Sequence, residues 1–280
     1  MTDLASLLPR IERLLDRLDG PAAPPALDWK DVAAARWLAP SARFKPIAHP
    51  QRVALANLLA IDAQKQRVDA NTRQFVAGRP ANNVLLTGAR GCGKSSLVKA
   101  VHAEYAGQGL RLIEVDKAGL TSLPDLFEVL AEADGYRFIV FIDDLSFAEH
   151  EAGYASLKAA LDGSLAGPSD NVLIYATSNR RHLMPEYMAE NLETSYLGGE
   201  VRPGEAIEEK VSLSDRFGLW VSFHVIDQDT YLAIARHWVA SLGGTLDAGF
   251  ERAALQWAQG RGARNGRVAS QFARDWVGRR

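Results

Sequence analysis

Leucine and isoleucine recur at helical period through Leu4, Leu7, Leu8, Ile11, Leu14, Leu15 and Leu18, which predicts an amphipathic helix over residues 4–18. Such a stripe has to be covered, by the body of the protein or by a partner. Pro21-Ala-Ala-Pro-Pro25 then predicts a stiff linker. Trp29 to Leu38 reads as a helix and Pro40 to Pro50 as extended chain. Val53 to Val76 reads as one or two helices.

From there the pattern alternates. Short apolar runs at Val84-Leu85-Leu86, Leu110 to Val115, Phe138 to Ile142, Val172 to Ala176 and Trp220 to Val225 predict five strands. Helical spacing fills the gaps at Ser95 to Tyr105, Leu123 to Ala133 and Tyr154 to Leu161. Phe138 to Ile142 is wholly apolar, as a strand covered by helices on both faces should be. The expected fold is α/β: an αβα sandwich around a five-stranded parallel sheet. After Asp227 the strand signals stop. Asp229 to Ala240, Ala248 to Gln259 and Gly266 to Val277 predict three helices, separated by Gly243-Gly244 and by the glycines at 260 and 262. The expected division is an N-terminal helical segment and linker over 1–45, an α/β core over 46–226 and a small all-helical domain over 227–280.

Composition narrows this only a little. At 280 residues and 47% apolar residues the chain can bury a substantial core. A net charge of −2 supplies no global field toward nucleic acid or anionic lipid. The C-terminal stretch from residue 251 is nonetheless basic, with seven arginines against Glu251 and Asp275, so phosphate contact there is not favoured but stays open. No apolar run reaches the roughly 20 residues of a membrane helix, and charges interrupt residues 1–20 too often for a signal peptide. The histidines show no metal-ligand spacing. One cysteine, Cys92, precludes an internal disulfide and suits a reducing cytoplasm.

Chemistry concentrates in one stretch. Gly88-Ala89-Arg90-Gly91-Cys92-Gly93-Lys94-Ser95 satisfies G-x-x-x-x-G-K-[ST], with a strand predicted before it and a helix after it. Glycines allow successive backbone N–H groups to turn toward phosphate oxygens, and the helix adds the positive end of its dipole. Lys94 would reach the β- and γ-phosphates and the Ser95 hydroxyl would ligate Mg²⁺, so the loop from Gly88 to Ser96 is expected to bind Mg-ATP. Cys92 is expected to be a small filler, although a thiol near a helix N-terminus can be acidified and oxidised. The strand Phe138 to Ile142 ends in Asp143 and Asp144. Asp143 would support Mg²⁺, and Asp144 would activate a water against the γ-phosphate. A second carboxylate beside the metal ligand favours hydrolysis over transfer to a metabolite.

Together with Thr177-Ser178-Asn179 closing the fourth strand, Leu213-Ser-Asp-Arg216-Phe-Gly-Leu219 and the helical C-terminus, these motifs resemble an AAA+ ATPase. The Asp-Asp pair is similar to replication initiators and helicase loaders. Asn82-Asn-Val-Leu-Leu-Thr-Gly-Ala-Arg-Gly and Glu208-Glu-Lys-Val-Ser-Leu-Ser-Asp-Arg-Phe-Gly look closer still to a bacterial AAA+ family of unknown function. The resemblance covers about residues 45 to 280. It implies a homo-oligomer that couples ATP hydrolysis to remodelling or loading of a macromolecule, a protein client being favoured. It implies that Asn179 holds the attacking water (sensor 1) and that Arg216 reaches a neighbouring subunit's ATP (arginine finger); the alternative for Arg216 is a surface pair with Asp215. It implies that Arg267, with Arg264 as rival, reports ATP to the helical lid (sensor 2), and that Ile61 lies against adenine. Two features depart from the pattern. Asp144 is one methylene shorter than the usual Glu, which weakens its role as base and points to slow turnover. The segment from Leu183 to Lys210 is long, and reads equally as a partner-gripping loop or a floppy insertion. A phosphotransferase and a non-catalytic ATP switch remain the competing readings.

Overall fold

The computed structural model describes residues 27–51, 53–147, 152–162, 170–179, 195–197, 200–202 and 213–279. The helix expected over residues 4–18, the linker at 21–25 and most of the 183–210 segment lie outside the described residues.

The first departure from the sequence reading is at Trp29 to Leu38, where a helix was expected. Ala34–Leu38 forms strand β1 and Arg43–Pro46 forms β2, paired antiparallel with Trp37 opposite Phe44. Alternation decides it: Ala35 and Trp37 are buried while Arg36 between them is exposed. Trp29 is anchored edge-on to Phe44 and Phe138, each at 5.0 Å between ring centres. These partners lie up to about a hundred residues away in sequence, and no local period announces them. Residues 34–46 therefore extend the sheet instead of standing outside the core.

All five expected strands are present, as β3 (Val84–Gly88), β4 (Leu110–Glu114), β5 (Arg137–Ile142), β6 (Val172–Ser178) and β9 (Leu219–Phe223). With β1 and β2 they make a seven-stranded sheet in the order β2-β1-β4-β5-β6-β3-β9, parallel except for the β1–β2 pair. The strand count of five was thus two short. Between β6 and β9, Ser195–Leu197 (β7) and Glu200–Arg202 (β8) pair as a separate antiparallel ribbon, Tyr196 opposite Val201.

Successive residues of β5 serve opposite faces of the sheet. Phe138, Val140 and Ile142 enter one cluster, with Leu126 of helix α3 (Leu123–Ala131) and Leu157 of α4 (Ala152–Asp162). Ile139 and Phe141 enter the other, with Val68 and Phe75 of α1 (Asp62–Val76) and Leu97 and Val101 of α2 (Lys94–Tyr105). This is the three-layer arrangement expected from the apolar runs.

The C-terminal helices α5 (Gln228–Ser241), α6 (Phe250–Gly260) and α7 (Gly266–Gly278) bury a third cluster of their own. Phe250, Phe272 and Trp276 form its aromatic centre, with ring centroids 5.5–5.7 Å apart. Leu59, ahead of α1, and Ile226, between β9 and α5, pack onto it. Among the described residues, no helix is long and apolar enough to cross a membrane.

Candidate nucleotide site

The loop that follows β3 is wedged between β9 and the last helix. Gly88 has φ of 139°, and a Cβ there would stand 2.3 Å from the Phe223 carbonyl oxygen, so no larger residue fits. Gly91, with φ of 80°, lies against Asn265, whose side-chain oxygen would be 2.6 Å from an added Cβ. These contacts account for Gly88 and for Gly91, which stands at a variable position of the motif; Gly93, the motif's second fixed glycine, has φ of 103°.

Lys94 opens α2 and is 6% exposed. Its Nζ donates to the carbonyl oxygens of Gly88 at 2.6 Å and Ala89 at 2.9 Å, and to Asn179 Oδ1 at 2.9 Å. Burial pushes its ammonium pKa down. A buried cation bound mainly by neutral oxygens is a strong receptor for an anion.

Ser95 Oγ donates to Asp143 Oδ1 at 2.6 Å, and Thr177 Oγ1 donates to the same oxygen at 2.6 Å. Hydroxyl and carboxylate oxygens at one point are hard donors, the type Mg²⁺ takes when phosphates complete its shell. Among the described residues no group of three or more His, Cys, Asp or Glu could hold a metal ion. Ser95 and Asp143 therefore fit Mg²⁺ held jointly with phosphates and do not form an all-protein metal cage.

Asp144 has φ of 55°, left-handed backbone that costs a non-glycine residue on the order of 1–3 kcal/mol. Its N–H donates to Thr177 Oγ1 at 3.0 Å, and the next residue, Leu145, donates to the Thr177 carbonyl at 2.6 Å. The Asp144 carboxylate accepts from Asn179 Nδ2 and lies 3.6 Å from Arg90 Nη2. The Arg90–Asp144 pair is largely exposed and contributes little stability. The Asn179 amide thus bridges Lys94 and Asp144, one atom to each.

Cys92 is partly buried in the loop. Its thiol donates to the Ala89 carbonyl at 2.9 Å, and burial raises its pKa in spite of nearby Lys94.

The C-terminal helices meet the loop through Asn265. Its Oδ1 caps α7 by accepting from Val268 N at 2.9 Å, and its Nδ2 donates to the Arg90 carbonyl at 3.2 Å. The backbone N–H of Arg267 donates to the Gly91 carbonyl at 3.2 Å. Between loop and lid lies a cleft of about 1520 Å³. Its lining includes Ala89 to Ser96, Asp143, Asp144, Asn179 and Ile61, with Arg264, Arg267 and Arg274 from the lid side. Ile61 is 8% exposed, and its Cδ1 would be 3.5 Å from a Cβ on Gly93, so it borders the loop. Arg264 approaches Gln228 Oε1 at 3.5 Å. Arg216 is elsewhere: it does not line the cleft and is paired with Asp162 at the end of α4.

Reading the sequence missed the roles of Thr177 and Asn265. Thr177 stood in a stretch singled out for Asn179. Asn265 carried a signal of its own, an Asn immediately before the first residue of a predicted helix.

Residues 30–280 match the family described as protein of unknown function (DUF815). No curated protein matches the chain. Solved structures of similar fold include variants of Thermotoga maritima RuvB. One has a TM-score of 0.52 at 14% identity, covering 79% of this chain and 64% of that one. A second has a TM-score of 0.50 at 14% identity, covering 79% and 63%. This chain thus spans less than two thirds of the RuvB length, and at such identity the likeness concerns the fold. The protein shares its fold with RuvB and belongs to the DUF815 family.

Proposed function

We propose that the chain binds Mg-ATP in the loop–lid cleft and hydrolyses it, using the energy to remodel or load a macromolecular partner. The observation that carries this reading is the meeting of Lys94, Ser95, Asp143, Asp144 and Asn179, from three separate segments, at one end of a parallel sheet. Ligands of open α/β sheets sit at the carboxyl ends of their strands.

In this reading the backbone from Gly88 to Ser96 and the Lys94 ammonium hold the phosphates. Mg²⁺ would neutralise developing charge while held by Ser95 and Asp143. Asp144 takes the proton of the attacking water, and Asn179, bonded to Asp144 and Lys94 alike, orients that water. Ile61 borders the adenine, and Arg267 offers its cation from the lid. Residues 227–280 form that lid as a unit distinct from the sheet, supported by their separate core. Arg216 acts on the ATP of a neighbouring copy in a homo-oligomer; its position outside its own cleft supports this. A protein client in the cytoplasm is the favoured target.

The test is nucleotide titration of the full chain by calorimetry, with phosphate release measured with and without Mg²⁺ and without added acceptor. Binding plus Mg²⁺-dependent release is expected. Absence of binding overturns the reading, and tight binding without release makes the chain a nucleotide switch.

A further inference from the structure

Thr177 is 1% exposed, and its one hydroxyl joins two acids with different assigned tasks. Its oxygen accepts the Asp144 N–H at 3.0 Å, so its own proton is directed to Asp143 Oδ1 at 2.6 Å. The orientation of the hydroxyl is forced, because an N–H can only donate and a carboxylate only accepts. The Thr177 backbone takes part as well: its carbonyl accepts from Leu145 N at 2.6 Å, and it pairs in register with Leu86 on β3, just before the phosphate loop. Asp143 receives a second hydroxyl, that of Ser95, on the same oxygen. One of these two donors sits on the loop helix and the other in the core strand. The left-handed turn at Asp144 has its N–H satisfied by that same threonine oxygen.

Resting on the ATPase reading above, we infer that Thr177 is the positioning residue that sets the Asp143 carboxylate for Mg²⁺ and the backbone turn that aims Asp144. Its side chain acts through the two acids, as hydrogen-bonding partners of metal ligands generally do.

Thr177→Val keeps the shape and removes the hydroxyl, whereas Thr177→Ser keeps the hydroxyl and removes a methyl. The measurement is affinity for a non-hydrolysable ATP analogue by calorimetry, in Mg²⁺ and in EDTA. In wild type Mg²⁺ should tighten binding. In Thr177→Val that tightening should shrink by about 10-fold or more, while affinity in EDTA stays unchanged; partners of metal ligands typically contribute 10–100-fold to metal affinity. Thr177→Ser should restore the tightening. If Thr177→Val does not fold by circular dichroism, Thr177→Ala takes its place with the same expectation. Full Mg²⁺ tightening in the Val or Ala variant, or equal loss in the Ser variant, overturns the inference about Thr177 alone. If wild type shows no Mg²⁺-dependent binding, the ATPase reading itself fails, and this inference with it.

Discussion

Asn265 gives its side-chain N–H to the carbonyl oxygen of Arg90 at 3.2 Å, so the cap of the last helix is also a tie to the phosphate loop. The two ends of the amide have separate tasks, since its oxygen caps Val268. Asn265→Asp separates them, because a carboxylate still caps but cannot donate. It should melt near wild type yet show a smaller rise in Tm on adding ATP. Asn265→Ala removes both functions and should melt about 2–4 °C lower, from the loss of roughly 1 kcal/mol of capping. Melting curves with and without ATP distinguish these outcomes; an unaltered ATP response in Asn265→Asp would mean the tie carries no information.

Lys94→Ala should abolish high-affinity ATP binding. Lys94 is the buried cation of the loop, bonded to Gly88, Ala89 and Asn179, and its charge is what the β- and γ-phosphates would meet. Calorimetric titration is the check, and wild-type affinity in this variant would put the nucleotide elsewhere.

Asp144→Asn should retain ATP but not hydrolyse it, because Ser95 and Asp143 keep their mutual hydrogen bond while the base is lost. Phosphate release measured beside nucleotide retention on a filter tests this. Undiminished turnover would transfer the role to another acid.

Arg216→Ala should bind ATP and hydrolyse it on the order of 10³-fold more slowly, the usual effect of removing such a finger. Mixed with Asp144→Asn, it should regain activity, since mixed assemblies place an intact Asp144 beside a neighbour's intact Arg216. Recovery should grow with protein concentration. Mixtures that co-assemble by light scattering and stay inactive would leave Arg216 as the partner of Asp162 and nothing more.

Cys92 should alkylate slowly at pH 7. Burial raises its pKa, so less thiolate is present at neutral pH than for an ordinary thiol, and the rate should climb only as pH passes above the usual thiol range. Iodoacetamide labelling across pH checks the sign; rapid labelling at pH 7 would mean an acidified thiol.

The sequence by itself determined whatever repeats at short range or is spelled by a few adjacent residues. Apolar runs such as Phe138 to Ile142 located five strands, four of them buried on both faces, while β9 exposes Ser222. The glycines, Lys94 and Ser95 located the loop because backbone turns toward phosphate admit few residue types. Helical period and glycine punctuation located α5, α6 and α7 to within two residues at each end. Only the tertiary structure decided what depends on partners distant along the chain. Trp29 to Leu38 carries the composition of a helix, yet pairing of Ala34 with Leu112 and of Trp37 with Phe44 makes Ala34–Leu38 a strand. Asn265 reaching Arg90, Thr177 joining Asp143 to Asp144, and Arg216 turning to Asp162 are of the same kind. Each rests on one or two hydrogen bonds or an ion pair across tens of residues or more, and such bonds leave no period in the sequence: the sheet order and the docking of the last helix bring their ends together.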